Sequence, residues 1–312
     1  MKAVVFKGSG GTEVISIVQR PKPIPKKDEV LVNVHAAGLN RAEILQRKGL
    51  YKAPSDAPAD IPGLEFAGEI EETGEKVMGI TGGGSQAEYL SVSKDLLIPI
   101  PANLDFVTAA AIPEAYITAS DAIYTQLQIK SKDSVLIHAI GSSVGIALLQ
   151  ILKTIGCQVI GTSRTQEKLD KAKKLGLDLG INSQNQDFQK EIKSVDAIID
   201  FVGGPFLDKN IAVIKEGRKI LILGLIGGVE AKINLNHLLP RRIKILTANM
   251  RTRPLSEKIA ATNVFKNKIL PFIASEKIKP VIDRVFKLEE LPKAHQYMEE
   301  NKNFGKIIIK IQ

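Results

Sequence analysis

A turn of small residues between two apolar segments is the first place where residue types and spacing indicate chemistry. Residues 135–140 are apolar except for His138, and the turn leads directly into the apolar residues 146–152. Its members are Gly141, Ser142, Ser143, Val144 and Gly145. An apolar run without alternation predicts a buried strand, and a turn of this kind lets the next helix direct its N-terminal N–H groups at an anion. The segment therefore suggests a site for a dinucleotide pyrophosphate.

The glycine pattern of this turn is incomplete. The three glycine positions of G-x-G-x-x-G fall on Ile140, Ser142 and Gly145, so only the last is a glycine. An ordinary strand-to-helix turn is the alternative interpretation of the turn taken alone.

The residues that follow favour the dinucleotide site, because strands and helices keep alternating. An apolar strand is predicted at residues 158–162, Thr165 can cap a helix over residues 166–175, and Gly176 stands where a C-terminal cap belongs. Further elements are predicted as strands at residues 179–182, 195–200, 219–223 and 243–248, and as helices near residues 187–193 and 205–215. This succession predicts an α/β fold with a doubly wound, six-stranded parallel sheet of the Rossmann type.

Length and composition predict a two-domain globular protein. The chain has 312 residues, 44% of them apolar, and no apolar run approaches the roughly 20 residues of a membrane helix. One cysteine, Cys157, excludes an internal disulfide and fits a reducing cytoplasm. The net charge of +9 comes from 43 basic residues interleaved with 34 acidic ones, so a nucleic-acid partner is not favoured.

The segments on either side of the sheet predict a second domain. Residues 1–115 contain short candidate strands and many prolines, which is typical of an antiparallel β unit. The last candidate strand, at residues 306–311, needs a sheet to join. We expect it to return to the N-terminal β unit, which would make residues 1–115 and 251–312 one domain and residues 116–250 an inserted nucleotide-binding domain.

The chain resembles the zinc-free quinone oxidoreductase branch of the medium-chain dehydrogenase/reductase superfamily, and within it the p53-inducible quinone oxidoreductase group. The matching stretches run from end to end and comprise residues 38–43, 46–51, 62–65, 109–119, 135–145, 223–228 and 301–307. The resemblance implies a GroES-like β domain beside the Rossmann domain, and a homodimer.

The resemblance also implies chemistry without a metal. Metal-dependent relatives place a cysteine where this chain has Asn40, and a histidine before a glutamate where it has Leu64 and Glu65. The four histidines and Cys157 offer no recognisable zinc spacing. Quinones and activated enones can accept a hydride without a Lewis acid, because their oxygens take charge into a conjugated system.

Several side chains are expected at the site because they match the family's motifs. Asn40 could donate to the acceptor oxygen, although a helix N-cap is an equal alternative. Tyr51 could hydrogen-bond cofactor or substrate, or merely cover apolar surface. Thr118 matches the threonine that binds the nicotinamide portion, and a helix-surface threonine is its alternative. Gly203 and Gly224 end two sheet strands where ligands of open α/β sheets lie, and Leu225 and Asn303 belong to the matching stretches.

The end of the second sheet strand predicts the cofactor. NAD-binding sheets usually carry an acid there, and this chain has Ser163 followed by Arg164 and, one turn later, Lys168. Basic side chains can pair with a 2′-phosphate, so NADPH is expected. The tyrosine that commonly follows Ile-Asn in the third strand is Ser183 here, so that side chain cannot stack on the adenine.

The sequence thus predicts a cytoplasmic, NADPH-dependent reductase of quinones that acts by hydride transfer without metal. Two alternatives remain. One is an enone or enoyl reductase for which quinones are incidental. The other is a non-catalytic protein that binds NADPH and uses its positive charge to hold RNA, which would show a steep salt dependence.

Overall fold

Two compact units divide the chain in the computed structural model, which describes residues 1–55 and 57–312. The first unit comprises Met1–Ile117 and Met250–Gln312, and the second comprises Thr118–Asn249. The second unit is therefore inserted between two segments that fold together.

The first unit is built on a sheet that receives strands from both ends of the chain and is antiparallel except where β14 pairs parallel with β15. Its order is β14-β15-β3-β4-β5-β7, with β6 pairing on β3, while β1 and β2 form a separate hairpin. The strands are β1 (Lys2–Phe6), β2 (Ile15–Gln19), β3 (Glu29–Leu39), β4 (Glu65–Ile70), β5 (Lys76–Ile80), β6 (Tyr89–Ser93), β7 (Ile98–Pro99), β14 (Ile282–Lys287) and β15 (Lys306–Lys310). β7, with two residues, is too short to show a period in the sequence.

The terminal strand joins the N-terminal sheet as predicted. β15 pairs antiparallel with β3, placing Ile307 opposite Leu39. Apolar side chains from both segments bury one another in a cluster that includes Val4, Leu39, Phe286 and Ile309. Burial of this kind stabilises by roughly 1.5–3 kcal/mol for each large side chain, which fixes the two segments as one unit.

The second unit contains a six-stranded parallel sheet with the order β10-β9-β8-β11-β12-β13. The strands are β8 (Ser134–Ile137), β9 (Gln158–Ser163), β10 (Leu179–Asn182), β11 (Val195–Asp200), β12 (Ile214–Ile222) and β13 (Lys244–Thr247). In chain order this is 3-2-1-4-5-6, the doubly wound arrangement whose strand order reverses between β8 and β11. Ligands of such sheets bind at that reversal, outside the carboxyl ends of the strands.

Ten α-helices connect these strands in the described part of the chain. They are α1 (Arg41–Arg47), α2 (Phe106–Ala109), α3 (Pro113–Ser120), α4 (Ser143–Ile155), α5 (Gln166–Lys174), α6 (Phe188–Glu191), α7 (Gly204–Val213), α8 (Leu255–Lys268), α9 (Leu270–Ala274) and α10 (Leu291–Glu299). α8 and α9 are divided at Ile269, because Pro271 cannot donate a backbone hydrogen bond in a continuous helix. None of these helices is long and apolar enough to cross a membrane.

Candidate functional site

A buried ion pair lies at the centre of a polar cluster in the first unit. Lys306 Nζ lies 2.5 Å from Glu65 Oε1, and their side chains are 2% and 0% exposed. Glu65 Oε2 accepts the backbone N–H of Glu114 at 2.9 Å. A buried charge is tolerated only when it is paired and hydrogen-bonded, and both conditions are met here.

Asn40 is held by this pair. It caps α1 with an extended backbone, and its own N–H donates to Glu43 Oε1 at 3.2 Å. Its side-chain Oδ1 accepts from Lys306 Nζ at 2.9 Å, and its Nδ2 donates to Glu65 Oε1 at 2.9 Å. The helix-cap position and the place in a polar site are therefore compatible.

The other contacts of the Asn40 amide are weaker. Nδ2 lies 3.4 Å from Glu43 Oε1 and 3.4 Å from the Gly38 carbonyl oxygen. Donor–acceptor distances of this length exceed those of ordinary N–H···O bonds. One amide hydrogen of Asn40 is thus firmly engaged by Glu65, and the other is held loosely.

Glu43 is a buried carboxyl group that sequence analysis did not identify. It is 0% exposed, and its Oε2 lies 2.5 Å from Gln86 Nε2. Burial is the largest influence and raises the pKa of Glu43 to about 8, against the lowering effect of the Asn40 hydrogen bond. Exchanging the amide N and O of Gln86 would let protonated Glu43 donate to Gln86 Oε1, which otherwise has no partner. Glu43 is therefore mainly protonated at neutral pH.

The protonation of Glu43 predicts a pH-dependent stability. Its folded pKa of about 8 exceeds the ordinary value of 4.5, so between these values the folded state holds a proton that the unfolded state releases. This stabilisation is complete below pH 4.5 and is lost as the pH rises through about 8. In the wild type, ionisation of Glu43 on unfolding should lower the free energy of unfolding by about 1.4 kcal/mol for each pH unit between these two pKa values. Glu43→Gln mimics the protonated acid and should remove this pH dependence.

Chemical denaturation between pH 6 and 9 measures this effect. The free energy of unfolding of the Glu43→Gln variant should decline less steeply than that of the wild type up to about pH 8, and the two curves should run parallel above it. Glu276→Gln, at an exposed position, is the control. Parallel curves from pH 6 onwards would show that Glu43 is already ionised in the folded protein.

Arg251 is another residue that sequence analysis did not identify. It is 4% exposed, its Nε donates to the Gly82 carbonyl oxygen at 2.8 Å, and its Nη2 donates to Gln46 Oε1 at 2.6 Å. Its guanidinium carbon lies 5.1 Å from the ring centroid of Tyr51. Tyr51, which the sequence identified, is thus placed beside a buried cation. The only sequence signal was an arginine that follows the apolar residues near the unit boundary, which is too common to indicate a site.

Glu114 extends the titratable part of this cluster. It lies in the first turn of α3, and burial followed by the charge of Glu65 raises its pKa to about 7. Arg251 and Lys306 oppose that rise, as they do for Glu43. The first unit therefore gathers several ionisable groups around Asn40 and Tyr51.

In the second unit, the predicted turn caps a helix of 13 residues, α4. Ser142 Oγ accepts the N–H of Gly145 at 3.1 Å, so it is the N-cap. A Cβ at Gly145 would lie 2.7 Å from the Ile140 carbonyl oxygen, which explains why the last glycine of the pattern is retained. Gly141 is buried, whereas Ser143 and Val144 are partly exposed in the first turn.

The residues expected to select the cofactor meet at the carboxyl ends of β9 and β10. The N–H of Ser183 donates to the Ser163 carbonyl oxygen at 2.9 Å, and Ser163 Oγ accepts the N–H of Thr165 at 3.3 Å. Arg164 is exposed, and Lys168 lies in the first turn of α5. Position 163, where an acid would bind the ribose 2′-hydroxyl, is occupied by a serine.

The ends of β11 and β12 are fixed by Asp200, which sequence analysis did not select. Asp200 is fully buried, and its Oδ1 accepts the N–H groups of Val202 at 2.6 Å and Gly203 at 3.1 Å. Gly203 has a φ of 84°, which favours glycine. The N–H of Gly224 donates to the Asp200 carbonyl oxygen at 3.3 Å, and Leu225 is half exposed.

His138 supports this turn from the interior rather than binding a ligand. Its Nε2 lies 2.7 Å from Asn210 Oδ1, and Asn210 Nδ2 donates to Asp200 Oδ2 at 2.9 Å. Its Nδ1 lies 2.9 Å from Thr162 Oγ1, and burial lowers the pKa of its imidazole. A neutral His138 therefore satisfies one buried partner on each side.

Two further residues expected at the cofactor site, Thr118 and Asn303, belong to different units. Thr118 is on α3, and its Oγ1 is a buried hydroxyl without a hydrogen-bond partner in the described structure. Asn303 belongs to the first unit and donates from Nδ2 to the Gly305 carbonyl oxygen at 2.9 Å. The unpaired hydroxyl of Thr118, the capped N-terminus of α4 and the close approach at Gly145 fit a nicotinamide dinucleotide.

A zinc ion does not fit the same test. No three His, Cys, Asp or Glu side chains come together as a metal site anywhere in the described residues. Asn40 and Leu64 stand at the two positions discussed above, and the amide of Asn40 is engaged by Lys306 and Glu65. The groups at this position are instead the amide of Asn40 and the ion pair of Lys306 with Glu65, which hydrogen-bond to one another.

Two protein families match the chain in regions that correspond to the two folds. The alcohol dehydrogenase GroES-like domain matches residues 26–102, and the zinc-binding dehydrogenase family matches residues 143–267. The second description names a metal for which the described residues offer no donor cluster.

Two named relatives match nearly the whole chain. An NADPH-dependent alkenal/one oxidoreductase from Arabidopsis thaliana is 29% identical over 99% of this chain and 79% of its own. A quinone oxidoreductase from Mus musculus is 28% identical over 95% of this chain and 93% of its own.

Two solved structures have the same fold over the full length. An NAD-dependent alcohol dehydrogenase is 30% identical with a TM-score of 0.88, and each chain covers 100% of the other. The quinone oxidoreductase of Thermus thermophilus, solved alone and with NADPH, is 27% identical with a TM-score of 0.88 and the same coverage.

Proposed function

Because the chain belongs to the medium-chain dehydrogenase/reductase superfamily and is an oxidoreductase of that family, we propose that it reduces quinones with NADPH, without a metal. The observation that carries the proposal is the cluster around Asn40. Lys306, Glu65 and Asn40 satisfy one another there and leave no donor set for zinc among the described residues. The quinone oxidoreductases among the relatives support the choice of acceptor.

We assign cofactor binding mainly to residues of the second unit and acceptor binding to residues of the first. In the second unit, the N-terminus of α4 with Gly141–Gly145 holds the pyrophosphate, Thr118 binds the nicotinamide portion, and Gly203, Gly224 and Leu225 allow the cofactor's approach. Asn303, in the first unit, belongs to a stretch that resembles the family, and we include it among the cofactor-binding residues. When bound, NADPH supplies a hydride from nicotinamide C4.

In the first unit, Tyr51 and Asn40 orient the acceptor. The loosely held amide hydrogen of Asn40 is the one available to an acceptor oxygen, because Glu65 holds the other. Orientation contributes strongly to rate when the reaction needs no covalent help from the protein. Solvent supplies the proton that completes the reduction.

NADPH is proposed over NADH on the strength of Ser163, Arg164 and Lys168. Arg164, directly after β9, and Lys168, in the first turn of α5, can pair with a 2′-phosphate, which NADH lacks. Ser183, held against Ser163, provides a small polar surface beside the adenine end.

A reductase of enones is the second candidate, favoured by the alkenal/one oxidoreductase among the relatives. Oxidation of NADPH against a panel of quinones and alkenals tests both. A higher kcat/KM for quinones than for alkenals supports the proposal. If alkenals inhibit quinone reduction at concentrations far below that of the quinone, the second candidate replaces it. No turnover with either class would reject both.

Substitution of the two acceptor-binding residues should affect the acceptor and not the cofactor. We expect Asn40→Ala to lower kcat/KM for the quinone while the Kd for NADPH stays nearly unchanged. Tyr51→Phe should cost less than the roughly 10²–10⁴-fold expected on loss of a general acid. Steady-state kinetics and NADPH titration of each variant are the measurements. Wild-type quinone kinetics in both would remove these residues from the site, and a larger loss in Tyr51→Phe would make Tyr51 the acid.

We also propose a cytoplasmic homodimer, on the family resemblance. The exposed side chains of Leu235 and Leu239, 70% and 80% accessible, support an apolar surface for a second copy. Light scattering should give twice the 33.9 kDa of one chain.

A further inference from the structure

Arg251 carries a buried N–H group that no atom of the described residues accepts. Its Nη1 has no hydrogen-bond partner, although its Nε and Nη2 are both engaged. A guanidinium has five donors, and a buried charged donor without a partner is costly. The arginine is therefore arranged to receive an acceptor atom that the chain itself does not provide.

The positive charge of Arg251 is also not neutralised by an ion pair. None of the described carboxylates forms a salt bridge with it, and its two bonded partners are a backbone carbonyl and a side-chain amide. The nearby carboxyl groups of Glu43 and Glu114 have pKa values raised by burial to about 8 and about 7, so they compensate it incompletely at neutral pH. The local charge balance thus favours a negatively charged oxygen.

The orientation of the guanidinium is fixed next to a residue of the proposed site. Two hydrogen bonds hold its plane, and the Tyr51 ring lies 5.1 Å from its central carbon. An arginine held in this way loses little side-chain entropy on binding a further oxygen. Its free Nη1 and the Tyr51 ring then belong to one binding surface within the first unit.

We propose that Arg251 binds the carbonyl oxygen of the acceptor and stabilises the negative charge that forms on it. The inference rests on the proposed function. As the hydride forms a C–H bond on the acceptor, a π bond breaks and its electron pair moves through the conjugated system to the oxygen, giving an enolate; for a quinone, solvent then removes a proton from the carbon that received the hydride, which restores the aromatic ring of the hydroquinone. Arg251 keeps its proton throughout, and solvent protonates the oxygen afterwards. A fixed cation at this point substitutes for a Lewis acid by electrostatic stabilisation.

A phenol whose anion is coloured tests this assignment without cofactor or turnover. 4-Nitrophenol has a pKa near neutrality, and its anion resembles the reduced acceptor. Bound to the wild-type protein, it should ionise at lower pH than in solution, seen as visible absorption. Arg251→Met should weaken binding of the anion roughly 10- to 150-fold, the range for a charge-assisted contact. A lysine cannot donate at once to Gly82 O, Gln46 Oε1 and the probe oxygen, so Arg251→Lys should weaken binding of the anion roughly 10-fold.

A matched control separates the site from net charge. Arg20→Met removes the same charge from the first unit at an exposed ion pair with Asp60 and should bind the probe like the wild type. Wild-type binding by a folded Arg251→Met variant would overturn the proposal. If circular dichroism shows that this variant is unfolded, unchanged binding by Arg251→Lys would overturn it instead.

The result is distinguishable from failure of the proposed function. An enzyme inactive on every quinone and enone would still report probe binding, because the titration uses no cofactor. Conversely, full activity with probe binding unaffected by either substitution would reject Arg251 alone.

Discussion

Replacing Lys306 with methionine should lower the free energy of unfolding by roughly 3–5 kcal/mol. The lysine side chain is 2% exposed and its partner Glu65 is 0% exposed, so its loss leaves a buried carboxylate without a cation. Asn40 Oδ1 loses its donor in the same step. Chemical denaturation at neutral pH, monitored by circular dichroism, measures the change.

Two comparison variants identify the cause of that loss. Lys306→Met combined with Glu65→Gln contains no charge. The carboxamide keeps one oxygen to accept the Glu114 N–H and, once Lys306 no longer donates to Asn40 Oδ1, offers an N–H to that oxygen, so the double variant should recover more than half of the loss. Lys279→Met breaks an exposed pair with Glu276 and should change the free energy by less than about 1 kcal/mol. A Lys306→Met variant as stable as Lys279→Met would contradict the stabilising role of the buried pair.

Features that depend on local sequence were predicted well. The buried run before Gly141 forms β8, and the small-residue turn caps α4 through Ser142, because strand burial and capping are decided within a few residues. The six-stranded sheet followed from the repeated alternation of elements. Boundaries were less certain: β12 begins at Ile214, where the helix was expected to continue to residue 215, because a residue's propensity is a weak guide once its tertiary contacts decide.

The partners of the candidate site could not be predicted in the same way. Glu65 and Lys306 are 241 positions apart and meet because β15 lies beside β3, next to β4. Glu43 has the appearance of an ordinary first-turn glutamate in the sequence, and only its burial makes it a titrating group near neutrality. Long-range pairing and desolvation are properties of the fold, so Arg251 and Glu114 also emerged only from the structure.

Replacing Lys168 with alanine should weaken NADPH binding roughly 10- to 150-fold and leave NADH binding nearly unchanged. Lys168 lies in the first turn of α5, after Ser163 and Arg164 at the end of β9, where NAD-binding sheets usually carry an acid. Its ammonium group can pair with the 2′-phosphate, which is the group that distinguishes the two cofactors. Titration of each cofactor by fluorescence, in the same buffer and at constant ionic strength, measures the two Kd values.

Lys171 provides the matched control for this experiment, because it lies on the same helix and pairs with Glu167 at an exposed position. Lys171→Ala removes an equal charge one turn later, so its Kd for NADPH should remain within about twofold of wild type if a direct contact, which falls off steeply with distance in solvent, is responsible. Equal losses for NADPH and NADH in Lys168→Ala would assign the lysine a role in folding of α5. A loss shared by both lysine variants would point to the general positive field of the helix, and cofactor choice would then rest on Ser163 and Arg164.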